Sequence, residues 1–142
     1  MKISFGLIRL ILILVGVPGA LQVSALSAQA CKGKSMILNK KDGGAVTFCY
    51  DPKLKAYLSS DCFKLVDGKA CEIRSVIALN RYNPVKLTAL ELQTSLSPDE
   101  TACQKLKQKV RTLIDSEGDE HHFCESAFDG SLAPPHLIRW RT

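Results

Sequence analysis

Residues 119–125 contain the main local concentration of side chains that could bind a metal ion. Glu120, His121 and His122 are consecutive there, and Cys124 follows two residues later. Histidine nitrogen and cysteine sulfur are ligands that zinc and copper favour. Adjacent histidines in a loop point apart, however, and no second His or Cys pair lies at the usual spacing. We interpret the segment mainly as a solvated acidic loop, with Glu120, His121 and His122 as candidate metal ligands.

Two further patterns are relevant to catalysis. Glu91 lies in the apolar run 88–92, where burial would make its carboxyl a general acid for glycoside hydrolysis. The alternation of this run equally places Glu91 on a solvated face. Catalysis by a cysteine nucleophile would need a free thiol at Cys124 beside His121 or His122, and export works against a free thiol. A small secreted hydrolase using Glu91 or the His121/His122 loop is therefore an alternative hypothesis, and the sequence favours a protein that is not an enzyme.

The first 30 residues have the pattern of a cleavable signal peptide. Lys2 and Arg9 form a basic start, residues 7–17 form a short apolar segment, and residues 28–30 (Ala-Gln-Ala) match a leader peptidase site. The apolar run is shorter than the ~20 residues that a membrane span requires. We therefore predict an exported protein, periplasmic or secreted, in which residues 31–142 form one domain.

The cysteines all follow the predicted cleavage point, and export would place them where thiols oxidise. An even number of cysteines in a short exported domain indicates three disulfides, whose connectivity the sequence leaves open. Cys31 would be the first mature residue, so lipid anchoring at Cys31 is the alternative, although Gln29 fits a lipidation motif poorly. The six cysteines are Cys31, Cys49, Cys62, Cys71, Cys103 and Cys124.

A β-hairpin is predicted over residues 35–50, where two apolar runs flank a glycine-containing turn. A two-residue turn at Asp42–Gly43 would place Ile37 opposite Phe48, which pairs apolar with apolar side chains. A turn at Gly43–Gly44 is the alternative register.

The next segments are less regular. Pro52 predicts a short helical turn that includes Tyr57 and Leu58. A second hairpin is predicted over residues 63–74 around Asp67–Gly68, and its last strand could extend through Leu79. Residues 85–96 mix the two periods and favour a strand.

A long amphipathic helix is predicted over Pro98–Glu117. Ser97 and Glu100 form a capping box, Pro98 occupies the first helical position, and Gly118 is a natural stop. Residues 119–135 are predicted to be a loop and residues 136–141 a final strand. The basic side chains from Lys105 to Arg111 would lie largely on the solvated face of the helix.

These elements restrict the disulfide pairing. Cys62 and Cys71 would be diagonal neighbours in the second hairpin, too far apart for an unstrained bridge. A Cys103–Cys124 bridge would need an almost fully extended return along a helix segment of ~22 Å. We therefore expect at least one disulfide to tie the helix to the β-strands.

The predicted fold is a small α+β domain in which an antiparallel β-meander or β-hairpins pack on one amphipathic helix, stabilised by disulfides. The net charge of the chain is +5, of which Lys2 and Arg9 contribute two, leaving +3 for residues 31–142. This charge is too small to indicate nucleic-acid binding. Residues 139–141 (Arg-Trp-Arg) would suit anionic lipids or a partner, but a strand with a core tryptophan is the simpler interpretation.

We predict a non-enzymatic binding or interaction module for a macromolecular partner at the cell envelope or outside the cell. No cofactor is expected. Membrane contact is expected only through the signal peptide or, if Cys31 is lipidated, through that lipid. Two hypotheses compete with the binding module: the small hydrolase, and a metal-binding protein that uses His121 and His122.

Overall fold

The computed structural model describes residues 31–64 and 69–142. The predicted signal peptide and the predicted turn at Asp67–Gly68 lie outside the described residues. The fold class is α+β and disulfide-stabilised, as predicted. In the described ranges no helix is long and apolar enough to cross a membrane. The elements are β1 (Ser35–Lys40), β2 (Ala45–Asp51), β3 (Ala56–Ser59), α1 (Glu72–Tyr82), β4 (Val85–Lys86), α2 (Pro98–Lys105), β5 (Lys109–Ile114), β6 (Glu120–Glu125), β7 (Leu132–Ala133) and β8 (Trp140–Arg141).

Six strands form one antiparallel sheet in the order β3-β2-β1-β5-β6-β7. The two outer strands, β3 and β7, lie next to each other, and the amide of Leu132 donates to the hydroxyl of Ser59 at 2.7 Å. The sheet therefore nearly closes into a barrel. The short strands β4 and β8 pair separately and in parallel.

The first hairpin is present, but its register differs from the predicted one. Met36 lies opposite Phe48, where we expected Ile37. The amide of Lys40 donates to the carbonyl of Gly44, and the amide of Gly43 donates to the carbonyl of Lys40. These bonds close a three-residue loop in place of the two-residue turn. The shift by one residue turns Ile37 outward, where it is 50% exposed, and leaves Phe48 fully buried.

Residues 56–59 and 72–82 correct two predictions. Tyr57 and Leu58 lie in β3 and pair with β2, so no helical turn extends from Pro52 to them. Residues 72–82 form α1, so the predicted second hairpin and its extension through Leu79 are wrong. The helix buries Ile73 and Ile77, which are one turn apart, against the sheet.

Helix α2 begins as predicted and ends early. The capping box at Ser97 and Glu100 is formed on both sides, with Pro98 in the first turn. The helix ends at Lys105 rather than Glu117, because residues 109–114 pair with residues 120–125 as the hairpin β5–β6. The predicted loop over residues 119–135 is therefore wrong for β6 and β7, and Gly118, with φ +92°, lies in the hairpin turn.

The predicted strands near the carboxyl end are shorter than expected. Only Val85–Lys86 of the segment 85–96 is a strand, and it pairs with Trp140–Arg141. The side chain of Trp140 is half-buried, and its indole N–H donates to Asp99 at 2.7 Å. The tail therefore holds β8 against α2.

Two apolar clusters lie on opposite faces of the sheet. The inner cluster fills the curved sheet, where the rings of Phe48 and Phe123 stack with centroids 4.6 Å apart. The outer cluster packs α1 and α2 against the sheet. The inner cluster comprises Leu38, Phe48, Leu113, Phe123 and Leu132, and the outer one is built around Leu58, Ile73, Ile77, Ala102, Cys103, Cys124, Ala133 and Ile138.

Each cysteine pairs with its neighbour in the sequence: Cys31 with Cys49, Cys62 with Cys71, and Cys103 with Cys124. The objections to the last two pairings were wrong, because the second hairpin and the long helix on which they rested do not form. Cys62 lies in a 3-10 turn and Cys71 directly precedes α1. Cys103 and Cys124 join α2 to β6, so a disulfide does link a helix to a strand, but through the pairing that the prediction argued against.

Candidate functional site

A cavity of about 510 Å³ opens at one end of the nearly closed sheet, and we refer to it as the mouth. It lies where β1, β3 and β6 end and where β2, β5 and β7 begin. Small-molecule sites commonly have volumes of roughly 300–1,000 Å³, and the open ends of β-barrels are a frequent location for them. The side chains that define it are Lys40, Val46, Asp61, Arg111, Leu113, Glu125 and Leu132.

The floor of the mouth is apolar. Leu113 and Leu132 belong to the inner cluster and are 0% and 4% exposed, and the half-buried Val46 packs against the same cluster. Strand alternation directs these three side chains to the inner face of the sheet. The mouth therefore ends on the outer edge of the inner core, where an apolar group would lose water.

An ion pair between Arg111 and Glu125 forms part of the rim. In the β5–β6 register Arg111 lies opposite Phe123, so Glu125 is its diagonal neighbour on the same face. Nε of Arg111 donates to one Glu125 oxygen at 2.6 Å and a terminal nitrogen donates to the other at 3.2 Å. The hydrogen bonds that Arg111 donates to Glu125 hold the pKa of Arg111 above its usual value. The pair fixes the guanidinium in place.

The other charges around the mouth are exposed. Lys40 and Asp61 lie on its rim. An adjoining depression of about 500 Å³ adds Lys41, Asp42 and Lys109. Lys41 forms an ion pair with Glu120, whereas Lys40 and Lys109 form none with the residues that the structure describes. Two lysines next to Arg111 are therefore available to an anionic ligand.

The predicted metal ligands Glu120, His121 and His122 are consecutive residues of β6. His121 and His122 project to opposite faces, where His121 Nε2 lies 2.7 Å from Asp115 and His122 Nδ1 hydrogen-bonds Glu100. Glu120 forms its ion pair with Lys41. Within residues 31–64 and 69–142 no group of three or more His, Cys, Asp or Glu side chains is placed to hold a metal ion. The structure does not bring the three candidates together.

The predicted catalytic groups also have other partners. Glu91 lies in a 3-10 turn, pairs with Lys105 at 2.7 Å and accepts the amide of Thr88. The hydrogen bond from Lys105, followed by those from Thr88, lowers the pKa of Glu91 to about 2. A carboxyl with this pKa is ionised near neutral pH and is poorly suited to donate a proton. Cys124 is bonded to Cys103, so it offers no free thiol.

The basic segment from Lys105 to Arg111 is not one helix face. The helix ends at Lys105, residues 106–107 form a turn, and Arg111 lies in β5 on the inner face of the sheet. The prediction was therefore wrong for Arg111, which it placed on a helix, and for Glu125, which it placed in a loop. The β-branched residues Val110, Thr112 and Ile114 at alternate positions, followed by a turn at Gly118, are the sequence signal that favours this hairpin.

Comparison with models of protein families, with curated proteins and with solved structures finds no match to this chain. The candidate site therefore rests on the geometry of the mouth and its surroundings: an apolar floor, a fixed guanidinium, Lys40 at the rim and Lys109 in the adjoining depression, neither lysine in an ion pair with the residues that the structure describes.

Proposed function

We propose that this chain is an exported, non-enzymatic binding module that acts at the cell envelope or outside the cell. The mouth is the observation that carries the proposal, because it combines an apolar floor with a fixed charge in a volume suited to a small group. The bound group is either a small molecule or the exposed end of a macromolecular partner.

The cysteines support export. All six are paired, and stable disulfides form and persist mainly in oxidising compartments. The sulfur of Cys31 is bonded to Cys49, and this is the atom that a lipid would need. The pairing therefore favours cleavage before Cys31 without lipidation, and we propose a released protein in preference to a lipid-anchored one.

Native mass spectrometry tests export and binding together. The full chain is expressed in a bacterial host, collected from the periplasm and the medium, and incubated with an envelope extract. We expect the mass of residues 31–142, lighter by six hydrogen atoms than the reduced chain because three disulfides have formed. We also expect a bound species that denaturation releases.

A matched pair of variants locates the bound species. Ala45 is exposed and lines the mouth, so Ala45→Trp should block the mouth without changing the core. Ala89 is exposed in a turn outside the mouth, so Ala89→Trp controls for the added ring. Loss of the bound species in Ala45→Trp alone supports the proposal. Retention of the bound species in both variants would contradict binding at the mouth, and absence of any bound species would contradict the binding function. A lipid on Cys31 would contradict a released protein.

A further inference from the structure

We infer that the mouth binds an apolar group that carries one carboxylate, with Arg111 binding the carboxylate and the floor receiving the apolar part. This inference rests on the proposed function and specifies the ligand of the same site. A free amphiphilic carboxylate and the C-terminal apolar residue of a polypeptide share this chemistry.

Arg111 is already positioned for an oxyanion. A guanidinium has five N–H donors, of which Glu125 accepts two, and Arg111 makes no other hydrogen bond among the described residues. Three donors therefore remain, on a side chain that is 41% exposed at the rim. Because Glu125 restrains the guanidinium, a carboxylate would bind without the full entropy cost of ordering a free arginine.

The charges around Arg111 limit the ligand to one negative charge. Lys40 and Lys109 add positive charge without ion pairs among the described residues, while Asp42 and Asp61 offset it. Glu125 is only 12% exposed, and its charge is compensated by Arg111. This balance suits a single carboxylate better than a phosphate or a polyanion, which would meet the two exposed aspartates.

The floor determines what the carboxylate is attached to. Val46, Leu113 and Leu132 offer apolar surface without a hydrogen-bonding side chain, so a ligand hydroxyl that faces the floor would be left unpaired. The hydroxyl side chains of the mouth, at Thr47, Ser59 and Ser60, lie outside this floor. An alkyl chain or a leucine-type side chain would gain from burial. Each methylene buried on this floor should strengthen binding about fourfold.

Isothermal titration calorimetry on the disulfide-bonded protein tests the inference with defined probes. Butyrate, hexanoate and octanoate should bind with affinity that rises along the series, and octanoate should bind more tightly than 1-octanol or octyl phosphate. The peptide acetyl-Gly-Gly-Leu with a free carboxylate, compared with its C-terminal amide, tests the polypeptide source. Stronger binding of the free acid identifies a chain end, and binding of octanoate alone identifies an amphiphile.

The variants remove the guanidinium without leaving a buried charge. Arg111→Gln combined with Glu125→Gln should weaken octanoate binding at least tenfold and leave octanol binding unchanged. Arg139→Gln removes one exposed positive charge that lines neither the mouth nor the adjoining depression, so it should change neither affinity. Circular dichroism and thermal melts on each variant confirm that it is folded.

Equal octanoate affinity in the wild type and the double variant would overturn the inference, as would equal binding of octanoate and octanol. If Ala45→Trp still loses its envelope-derived species in that case, the proposed function stands with a different ligand class. If Ala45→Trp keeps the envelope-derived species and the double variant keeps its octanoate affinity, both proposals fail.

Discussion

Helices α1 and α2 differ in where the acceptors for their first backbone amides come from. The amino end of α2 is capped by its own first turn, where Ser97 accepts the amide of Glu100 and Glu100 accepts the amide of Ser97. The amino end of α1 is capped from the β6–β7 loop, where Asp129 accepts the amide of Glu72 at 2.8 Å. The next amide of α1 donates to the hydroxyl of Ser131 at 3.1 Å.

This difference determines which other parts of the chain must be in place before each helix start is capped. Free amides at a helix start must find acceptors, whichever part of the chain supplies them. The acceptors of α2 lie within four residues, whereas Asp129 lies 57 residues beyond Glu72. Helix α1 therefore depends on the sheet that holds the loop, and α2 carries its own start signal. Substitutions at the two helix starts test this dependence.

The largest expected effect is loss of the disulfide at each helix. Chain-entropy estimates give ~3.3 kcal/mol for the pair Cys103–Cys124, whose sequence separation is 21, and ~2.6 kcal/mol for Cys62–Cys71, whose sequence separation is 9. The double variant Cys103→Ala/Cys124→Ala should therefore unfold at lower urea concentration than Cys62→Ala/Cys71→Ala. The opposite order would mean that the tether before α1 matters more than the link between α2 and the sheet.

The same distinction explains what the sequence could predict. The start of α2 was predicted because all its signals lie in residues 97–100. The first hairpin was predicted from Asp42–Gly43, but its register was not, because the number of residues in the loop depends on how β1 and β2 pack against the core. Helix α1 was missed, since the acceptors for its first amides exist only after the chain has folded.

The mouth was missed for a related reason. Arg111 and Glu125 meet only because β5 and β6 pair in one register, and residues 103–114 also fit an apolar helical stripe. Pairing with β6 overrode that local pattern. Long-range contacts therefore determined both the cap of α1 and the candidate site.

Removal of the distant cap should cost more than removal of the local one. Ser131 is fully buried, so Ser131→Ala leaves the amide of Ile73 without an acceptor or water. An unsatisfied buried group of this kind costs about 1–3 kcal/mol. Urea unfolding measures the loss of unfolding free energy, and amide hydrogen exchange should become faster mainly in α1. Ser116→Ala, in the exposed β5–β6 turn, is the control and should change neither measurement.

The local cap should contribute less, because Ser97 is exposed and water can replace its hydroxyl at the amide of Glu100. Ser97→Ala should cost about 1 kcal/mol, as is typical of an N-cap serine. Hydrogen exchange should accelerate in the first turn of α2 and leave α1 unchanged. Faster exchange in both helices would show that the two starts are coupled through the sheet and do not form independently.

The smallest effect is on the pH dependence of stability. Burial raises the pKa of Asp129, but hydrogen bonds from the amide of Glu72 and from Ser131 outweigh it, so the pKa lies below its usual value of 3.8. Burial also raises the pKa of Glu100, but hydrogen bonds with the amide of Ser97 and with His122 lower it more. The pKa of Glu100 therefore lies below its usual value of 4.5. Both carboxylates therefore stabilise the fold when ionised.

When the pKa of a carboxyl is lower in the folded than in the unfolded state, its contribution to the free energy of unfolding is complete above the pKa of the unfolded state. That contribution is lost as the pH falls through the pKa of the folded state. The free energy of unfolding should be level above about pH 5 with respect to these groups and decline below about pH 4. Asp129→Asn should make the free energy of unfolding fall less steeply below about pH 4, and the amides of α1 should lose less of their hydrogen-exchange protection as the pH falls. Glu100→Gln should have the same two effects, with the change in hydrogen exchange in α2. If the two variants changed hydrogen exchange in the same helix, the acid sensitivity would belong to the sheet that joins them and not to two separate helix starts.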